Sequence, residues 1–175
     1  VGGGSTELVV GRGGRPVLTA SLPLGALTVC RRWLGADPIA RHRVRAARRF
    51  IAGALRARAG AVERFGFTAA VGTGGSIQRL ARIAAALKGA PTEDVHGHFL
   101  DTKALDAVVE RLVHARTQAE RLALPGMDPD RADTLLGGAL IFQALAHLLR
   151  LDGWRVSMTA LRTGLLVDTH RRAVG

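Results

Sequence analysis

Two glycine-rich segments of this 175-residue sequence combine residue types that bind phosphate groups. The first loop, residues 1–7, reads Val-Gly-Gly-Gly-Ser-Thr-Glu and joins three glycines to two hydroxyls and a carboxylate. The second loop, residues 72–76, reads Gly-Thr-Gly-Gly-Ser and precedes a predicted helix. Glycines let the backbone approach a phosphate and direct N–H groups at its oxygens, and a helix start adds a positive dipole end. Both loops are therefore predicted to bind phosphate.

Neither loop matches a common nucleotide-binding consensus. No Gly-Lys-Ser/Thr follows either loop, which disfavours a P-loop. The dinucleotide-binding motif G-x-G-x-x-G needs glycine at its sixth position, where the first loop has Glu7 and the second has Ile77, so that motif is disfavoured too. The single cysteine, Cys30, excludes a disulfide framework and a cysteine-based zinc site. Glu7 is the residue of the first loop that could bind a metal ion or orient a water molecule.

The elements that must position these loops alternate between strands and helices. Apolar runs predict four strands, the first two joined by the hairpin dipeptide Gly13-Gly14, at residues 5–12, 16–23, 67–71 and 154–159. The helical spacing of apolar residues and the positions of caps predict helices over 26–34, 37–64, 77–87, 101–124, 130–151 and from 160 onward. Asp37 is the predicted cap of the second helix, whose apolar positions are Ile39, Val44, Ala47, Ile51, Leu55, Ala59 and Val62. This order predicts an α/β domain with a mixed sheet that includes the hairpin and is flanked by helices. Because the glycines at 2–4 are typical of the turn after a strand, the first strand is expected before Val1.

Basic residues are concentrated in the first half of the chain. The net charge is +11; residues 1–92 hold fifteen Lys or Arg against three Asp or Glu, and residues 93–175 hold ten against eleven. This asymmetry suits a polyanionic partner. A general preference for arginine, which supplies 23 of the 25 basic residues, is the alternative explanation. The arginine-rich helix has only Phe50 and Phe65 as aromatic residues, so specific nucleic-acid binding is disfavoured.

In seven segments, taken in order, the sequence resembles the exopolyphosphatase / guanosine pentaphosphate phosphohydrolase family. These segments are residues 1–10 (VGGGSTELVV), 21–26 (SLPLGA), 72–77 (GTGGSI), 95–97 (VHG), 131–133 (RAD), 138–140 (GAL) and 161–166 (LRTGLL). The resemblance implies the actin-like ATPase fold, in which two ribonuclease-H-like domains enclose the active site. It identifies residues 1–175 as the second domain, so an N-terminal domain is expected as its partner.

The resemblance also implies a reaction: hydrolysis of a terminal phosphoanhydride of inorganic polyphosphate or guanosine pentaphosphate, with Mg²⁺ as cofactor. Glu7 is implied as the catalytic and metal-binding residue. The implied phosphate-binding residues are Gly2, Gly3, Gly4, Ser5, Thr6, Gly72, Thr73, Gly74, Gly75 and Ser76.

The sequence departs from the family pattern in three places. An Asp expected before Val1 and a general-base Glu of the first domain lie outside the chain, and Thr163 stands where the family has Glu in Gly-Leu-Arg-Glu-Gly. The chain by itself is therefore expected to be inactive. Two alternatives stay open: a non-catalytic nucleotide- or polyanion-binding domain of the same fold, and one half of a sugar or acid kinase.

The sequence also predicts the cellular setting. It has no apolar run near 18 residues and no signal-peptide pattern at its start, so a cytoplasmic protein without membrane contact is expected. The preferred phosphoanhydride and the oligomeric state, a homodimer included, are left open.

Overall fold

The computed structural model describes residues 1–174. In chain order, its elements are β1 (Thr6–Arg12), β2 (Arg15–Leu22), α1 (Ala26–Val29), a π-helical turn (Cys30–Leu34), α2 (Arg41–Phe65), β3 (Val71–Thr73), α3 (Gly75–Leu87), β4 (Phe99–Asp101), α4 (Thr102–His114), α5 (Gln118–Leu122), a 3₁₀ turn (Pro129–Arg131), α6 (Leu135–Leu148), β5 (Gly153–Ser157) and α7 (Leu161–Val174). None of the helices in this part of the chain combines the length and the apolar character needed to cross a membrane.

The strands form two sheets. β1 pairs antiparallel with β2, while β5 lies between β3, to which it is parallel, and β4, to which it is antiparallel. The mixed sheet was predicted, but the prediction that it includes the hairpin is wrong. β1 and β3 instead both line an apolar groove of about 530 Å³, to which Phe142 and Trp154 also contribute. The strand expected before Val1 stays a prediction.

The hairpin turn follows from its two glycines. Gly13 and Gly14 have φ values of 57° and 74°, the left-handed conformation that a two-residue turn between twisted strands requires. The predicted strands 5–12 and 16–23 correspond to β1 and β2.

The core is built around α6, whose residues are buried on nearly all sides and which packs against α1, α2, α3 and α4. α2 contributes one apolar stripe to this core, at Val44, Ala47, Ile51, Leu55, Ala59 and Val62, as the sequence predicted. The remaining surface of α2 carries its arginines, so the helix is amphipathic with a strongly basic outer side.

Several predicted boundaries are wrong for identifiable reasons. α2 begins at Arg41 because the Asp37 carboxylate, predicted as its cap, accepts hydrogen bonds from Arg121 and from the Gln118 N–H. The helix predicted over 101–124 is divided by a capping box in which the Thr117 N–H donates to Glu120 at 2.9 Å and the Thr117 hydroxyl accepts from the Glu120 N–H.

Two strands also differ from the prediction. β3 begins at Val71, where the strand predicted over 67–71 ends, and the three-residue β4 was not predicted. Segments this short are too brief for an alternating apolar pattern to be detected.

Candidate functional site

The two glycine loops meet at one cleft of about 550 Å³. Gly2 and Gly3 of the first loop and Gly74, Gly75 and Ser76 of the second line it together. A Cβ placed on Gly74 would lie 3.4 Å from the Val1 carbonyl oxygen, so the loops are in van der Waals contact. The residue types predicted phosphate binding for each loop separately, and the fold brings the two loops together.

The first loop is fixed by its own hydrogen bonds and by α1. The Gly2 N–H donates to the Ser5 carbonyl at 2.8 Å, which closes a tight turn. The carbonyls of Gly2 and Gly3 accept from the N–H groups of Ala26 and Leu27, each at 2.9 Å. These bonds occupy the start of α1, so this helix start is not available to an anion.

Gly25 makes this close approach between the loop and α1 feasible. A Cβ on Gly25 would collide with the backbone of Gly3 and Gly4. Only glycine therefore fits at this position without moving the loop.

Two longer helices point uncapped N-termini at the cleft. α3 begins at Gly75 and α6 at Leu135, both of which line the cleft, and no side chain caps either helix. The first N–H groups of a helix have no partner within the helix and attract negative charge. α3 and α6 also pack tightly here, because a Cβ on Gly138 would lie 2.5 Å from Ser76 Oγ. The cleft therefore presents two sets of backbone donors to an anion.

Two arginines place positive charge at the same cleft. Arg79, four residues after Gly75 on α3, donates to the Gly75 carbonyl at 3.2 Å and through Nε to Asp128 Oδ2 at 2.7 Å. These contacts hold the pKa of the Asp128 carboxyl below its usual value. Arg131 lines the cleft, is exposed, and has no ion-pair partner among the described residues. Arg131 is therefore free to pair with a ligand anion.

Sequence reasoning did not assign Arg79 and Arg131 to the site. Signals for both were present, because Arg79 lies one helical turn after the second loop and Arg131 opens one of the segments that carry the family resemblance. What could not be deduced was that the 129–134 segment folds back against the loops.

A buried arginine holds that segment in place. Arg121 is 3% exposed, and its Nε donates to the Ala132 carbonyl at 2.6 Å. Its Nη2 donates to the Asp37 carboxylate at 2.8 Å and its Nη1 to the Ala115 carbonyl at 3.2 Å. The guanidinium thus links three segments, one of which carries Arg131 into the cleft.

Glu7 lies beside the cleft rather than in its lining. It lines the groove between the two sheets, and Val1 is common to the groove and the cleft. Its Oε1 accepts from the hydroxyl of Ser5 at 2.5 Å and from that of Ser21 at 3.4 Å. Glu7 is exposed, so this cluster of oxygen atoms is open to solvent.

The other predicted residues have different surroundings. Gly4 is exposed, and a Cβ there would meet nothing within 4 Å. Thr6 is 1% exposed and its hydroxyl donates to the Leu24 carbonyl at 2.5 Å, so for its side chain the predicted phosphate contact is corrected to a structural one. Gly72 is buried against Ile77 and Phe142, and the Thr73 hydroxyl donates to the Thr159 carbonyl at 3.0 Å. Both residues line the groove and not the cleft.

Known proteins are similar to this chain in sequence. The family model described as the Ppx/GppA phosphatase family matches residues 1–173. An uncharacterized protein of Streptomyces coelicolor is 35% identical over 173 residues, which cover 95% of this chain and 50% of that protein. Exopolyphosphatase 1 of Mycobacterium tuberculosis is 31% identical over 168 residues, which cover 95% of this chain and 48% of that enzyme.

Solved structures of other proteins are also similar to this chain. A Ppx/GppA phosphatase of Aquifex aeolicus superposes with a TM-score of 0.82 at 27% identity, over 95% of this chain and 54% of that one. An exopolyphosphatase-like protein superposes with a TM-score of 0.86 at 25% identity, over 99% and 58%. The predicted fold class, a ribonuclease-H-like domain of the actin-like ATPase type, is confirmed by this similarity. The chain spans about half the length of these relatives.

Proposed function

Because this chain belongs to the Ppx/GppA phosphatase family, we propose that it supplies one wall of a phosphohydrolase active site. The substrate is a chain of phosphoanhydrides, inorganic polyphosphate or guanosine pentaphosphate, and the product is the released terminal phosphate. The observation that carries this proposal is the meeting of two glycine loops, two uncapped helix starts and the unpaired Arg131 at one cleft. Residues 1–175 act as the second domain, and the other wall belongs to the half that the relatives have in addition.

The cleft acts mainly by positioning and by neutralising charge. Backbone N–H groups of Gly3, Gly75 and Ser76 donate to the oxygens of the terminal phosphate, and Arg131 pairs with a further oxygen. Fixed donors of this kind need no reorganisation as negative charge shifts during the reaction. Water then attacks the phosphorus in line with the leaving phosphate. Asp128 keeps the Arg79 guanidinium directed along the rim of the cleft.

The residues near the first loop fit the Mg²⁺ that the family resemblance implies. Mg²⁺ prefers oxygen ligands and is commonly held by one or two carboxylates together with water and substrate phosphates. The exposed Glu7 carboxylate and the half-buried Ser5 hydroxyl provide such oxygens. No cluster of three or more His, Cys, Asp or Glu that could enclose a metal ion exists within residues 1–174, so water and substrate phosphates would supply further ligands. When bound, the ion supplies positive charge to the phosphate oxygens.

Binding of a short substrate to the chain tests the cleft. Isothermal titration calorimetry with tripolyphosphate should detect binding, and Arg131→Gln should weaken it roughly 10- to 150-fold, the range for a lost hydrogen bond to a charged group. The matched control is Arg111→Gln, which removes the same charge from the exposed face of α4 and should leave the affinity unchanged. Equal affinity for the Arg131→Gln variant and the unaltered chain would contradict the proposed cleft.

Turnover provides a separate test of the domain assignment. The chain alone should release no phosphate from polyphosphate in the presence of Mg²⁺, because the general base is proposed to lie in the other half. A robust, metal-dependent rate that Glu7→Gln abolishes would show instead that the base lies within these residues.

A further inference from the structure

Four exposed arginines form a stripe along one side of α2 that the proposed cleft does not use. Arg41, Arg45, Arg49 and Arg56 lie within about 80° of one another around the helix axis, since each residue advances by about 100°. Among the described residues, none of these four side chains takes part in an ion pair. We call these four residues the arginine stripe.

The neighbouring Arg48 is not included in the arginine stripe, because it already has an acidic partner. Its Nη2 lies 2.7 Å from Glu110 Oε1 of α4, so its charge is already neutralised by a surface ion pair. Arg48 lies on the same side of α2, about 20° around the axis from Arg41. The contrast is therefore one of pairing, because Arg48 has a carboxylate partner and the four stripe residues have none among the described residues.

A preference for arginine codons does not explain the charge pattern of α2. Such a preference changes which basic residue is used, but it does not remove acidic residues. α2 holds eight arginines and a single acid, Glu63, whereas α4 balances Lys103 and Arg111 against Asp106 and Glu110. Like charges four residues apart, as at Arg41 and Arg45, destabilise a helix. The pattern therefore lowers the stability of the helix slightly, and a bound anion would relieve this repulsion.

The length and surroundings of the stripe define the class of anion. At 1.5 Å per residue, Arg41 and Arg56 are separated by about 22 Å along the axis, so a single ligand that contacts all four must be a long polyanion. Single-stranded nucleic acid would need an exposed aromatic surface for stacking. Phe50 offers none, because it stacks on Trp33 at 4.6 Å and Arg32 lies over both rings. Phe65 is 40% exposed, but it lies at least about 120° around the helix axis from every stripe residue.

We propose that the arginine stripe binds the extended chain of long inorganic polyphosphate, as a contact surface additional to the cleft. This inference rests on the proposed function, since it specifies the substrate as one with many phosphates. The stripe adds affinity for long chains and contributes nothing to the binding of a short phosphoanhydride.

The test compares two variants that lose the same charge. The stripe variant carries Gln at 41, 45, 49 and 56; the control carries Gln in place of the exposed residues Arg15, Lys103, Arg111 and Arg150. Fluorescence anisotropy with end-labelled long-chain polyphosphate measures the dissociation constant from 50 to 200 mM salt. The salt slope is the fall in the logarithm of the binding constant per unit of the logarithm of the salt concentration, and each contact contributes about 0.7 to it for single-stranded nucleic acids. If the arginines behave in the same way, four contacts make the unaltered chain lose about 50-fold more affinity between 50 and 200 mM salt than the stripe variant loses.

The control and the short substrate decide between the explanations. The control variant should keep the salt slope of the unaltered chain, and all three proteins should bind tripolyphosphate alike. Equal loss of long-chain affinity in both variants, or none in the stripe variant, refutes the stripe while tripolyphosphate binding still supports the cleft. Conversely, stripe-dependent binding of long chains without any tripolyphosphate binding refutes the cleft alone. Tighter stripe-dependent binding of single-stranded DNA with the same number of phosphates would assign the stripe to nucleic acid instead.

Discussion

Replacement of Arg121 with Met should destabilise the whole domain through one buried hydrogen-bond network. The Arg121 side chain is 3% exposed, and its guanidinium donates to the carbonyls of Ala132, Ala115 and Arg116 and to the Asp37 carboxylate. Met reproduces much of the aliphatic stem but donates no hydrogen bond. The substitution thus removes the arginine donor from three carbonyl oxygens and one carboxylate, of which the Arg116 carbonyl and the Asp37 carboxylate keep one backbone N–H each.

The size of the effect follows from the burial of each partner. Removal of one member of a buried ion pair costs about 3–5 kcal/mol. The Asp37 side chain is 32% exposed, so water can solvate part of its charge and the lower end of this range applies. About 3 kcal/mol corresponds to a fall in Tm of roughly 6–12 °C for a domain of this size.

Thermal unfolding followed by circular dichroism measures this change, with Arg48→Met as the matched control. Arg48 pairs with Glu110, but the two side chains are 41% and 50% exposed, and such a surface pair contributes at most about 1 kcal/mol. The double variant Arg121→Met/Asp37→Leu should regain part of the lost stability, because no unpaired carboxylate remains. If Arg121→Met and Arg48→Met lower the Tm equally, the buried network does not hold the 129–134 segment as argued.

Three further outcomes are expected. Gly25→Ala should lower the free energy of unfolding, measured in urea, by about 1–3 kcal/mol, because the added Cβ would overlap the backbone of the first loop. Gly53→Ala, in open space within α2, should raise it by about 0.5–1 kcal/mol. Equal changes in the two variants would contradict the close approach at Gly25. Burial raises the pKa of the Cys30 thiol to about 11, so a maleimide should label it slowly in the native chain at pH 8 and quickly in urea. Rapid labelling of the native chain would show instead that the thiol is accessible. Arg79 lowers the pKa of Asp128, so this carboxylate stabilises the fold above the unfolded pKa of about 3.9 and loses that contribution as pH falls through the lower folded pKa. Asp128→Asn should therefore reduce the acid-induced loss of stability between pH 6 and 2. An unchanged dependence of stability on pH would refute this.

Local features were predictable because local physics determines them. Two consecutive glycines adopt the left-handed conformation that a tight hairpin turn needs, so Gly13-Gly14 placed the turn correctly. The apolar stripe of α2 follows from helical periodicity, and every residue from Val44 to Val62 predicted to face the core is buried. The phosphate-binding role of the two loops rests on the same local reasoning and stays a prediction.

Predictions that depended on distant partners were less successful. Asp37 has the sequence context of a helix cap, but Arg121, 84 residues away, binds its carboxylate. The hairpin was expected in the main sheet, yet a groove lies between β1 and β3. Both outcomes depend on residues far apart in the sequence, and one sequence without its fold does not show which of these contacts form.

The amino-acid sequence by itself determined which segments could bind phosphate, where the chain turns, and which face of α2 is apolar and which is basic. Only the tertiary structure decided that the two loops share a cleft, that Arg79 and Arg131 join them there, and that Glu7 lies in the adjoining groove. The physical reason is that glycine content, periodicity and charge are properties of neighbouring residues. The meeting of residues 2–3, 74–79 and 131–135 instead depends on how α3 and α6 pack, with Gly138 allowing their close contact.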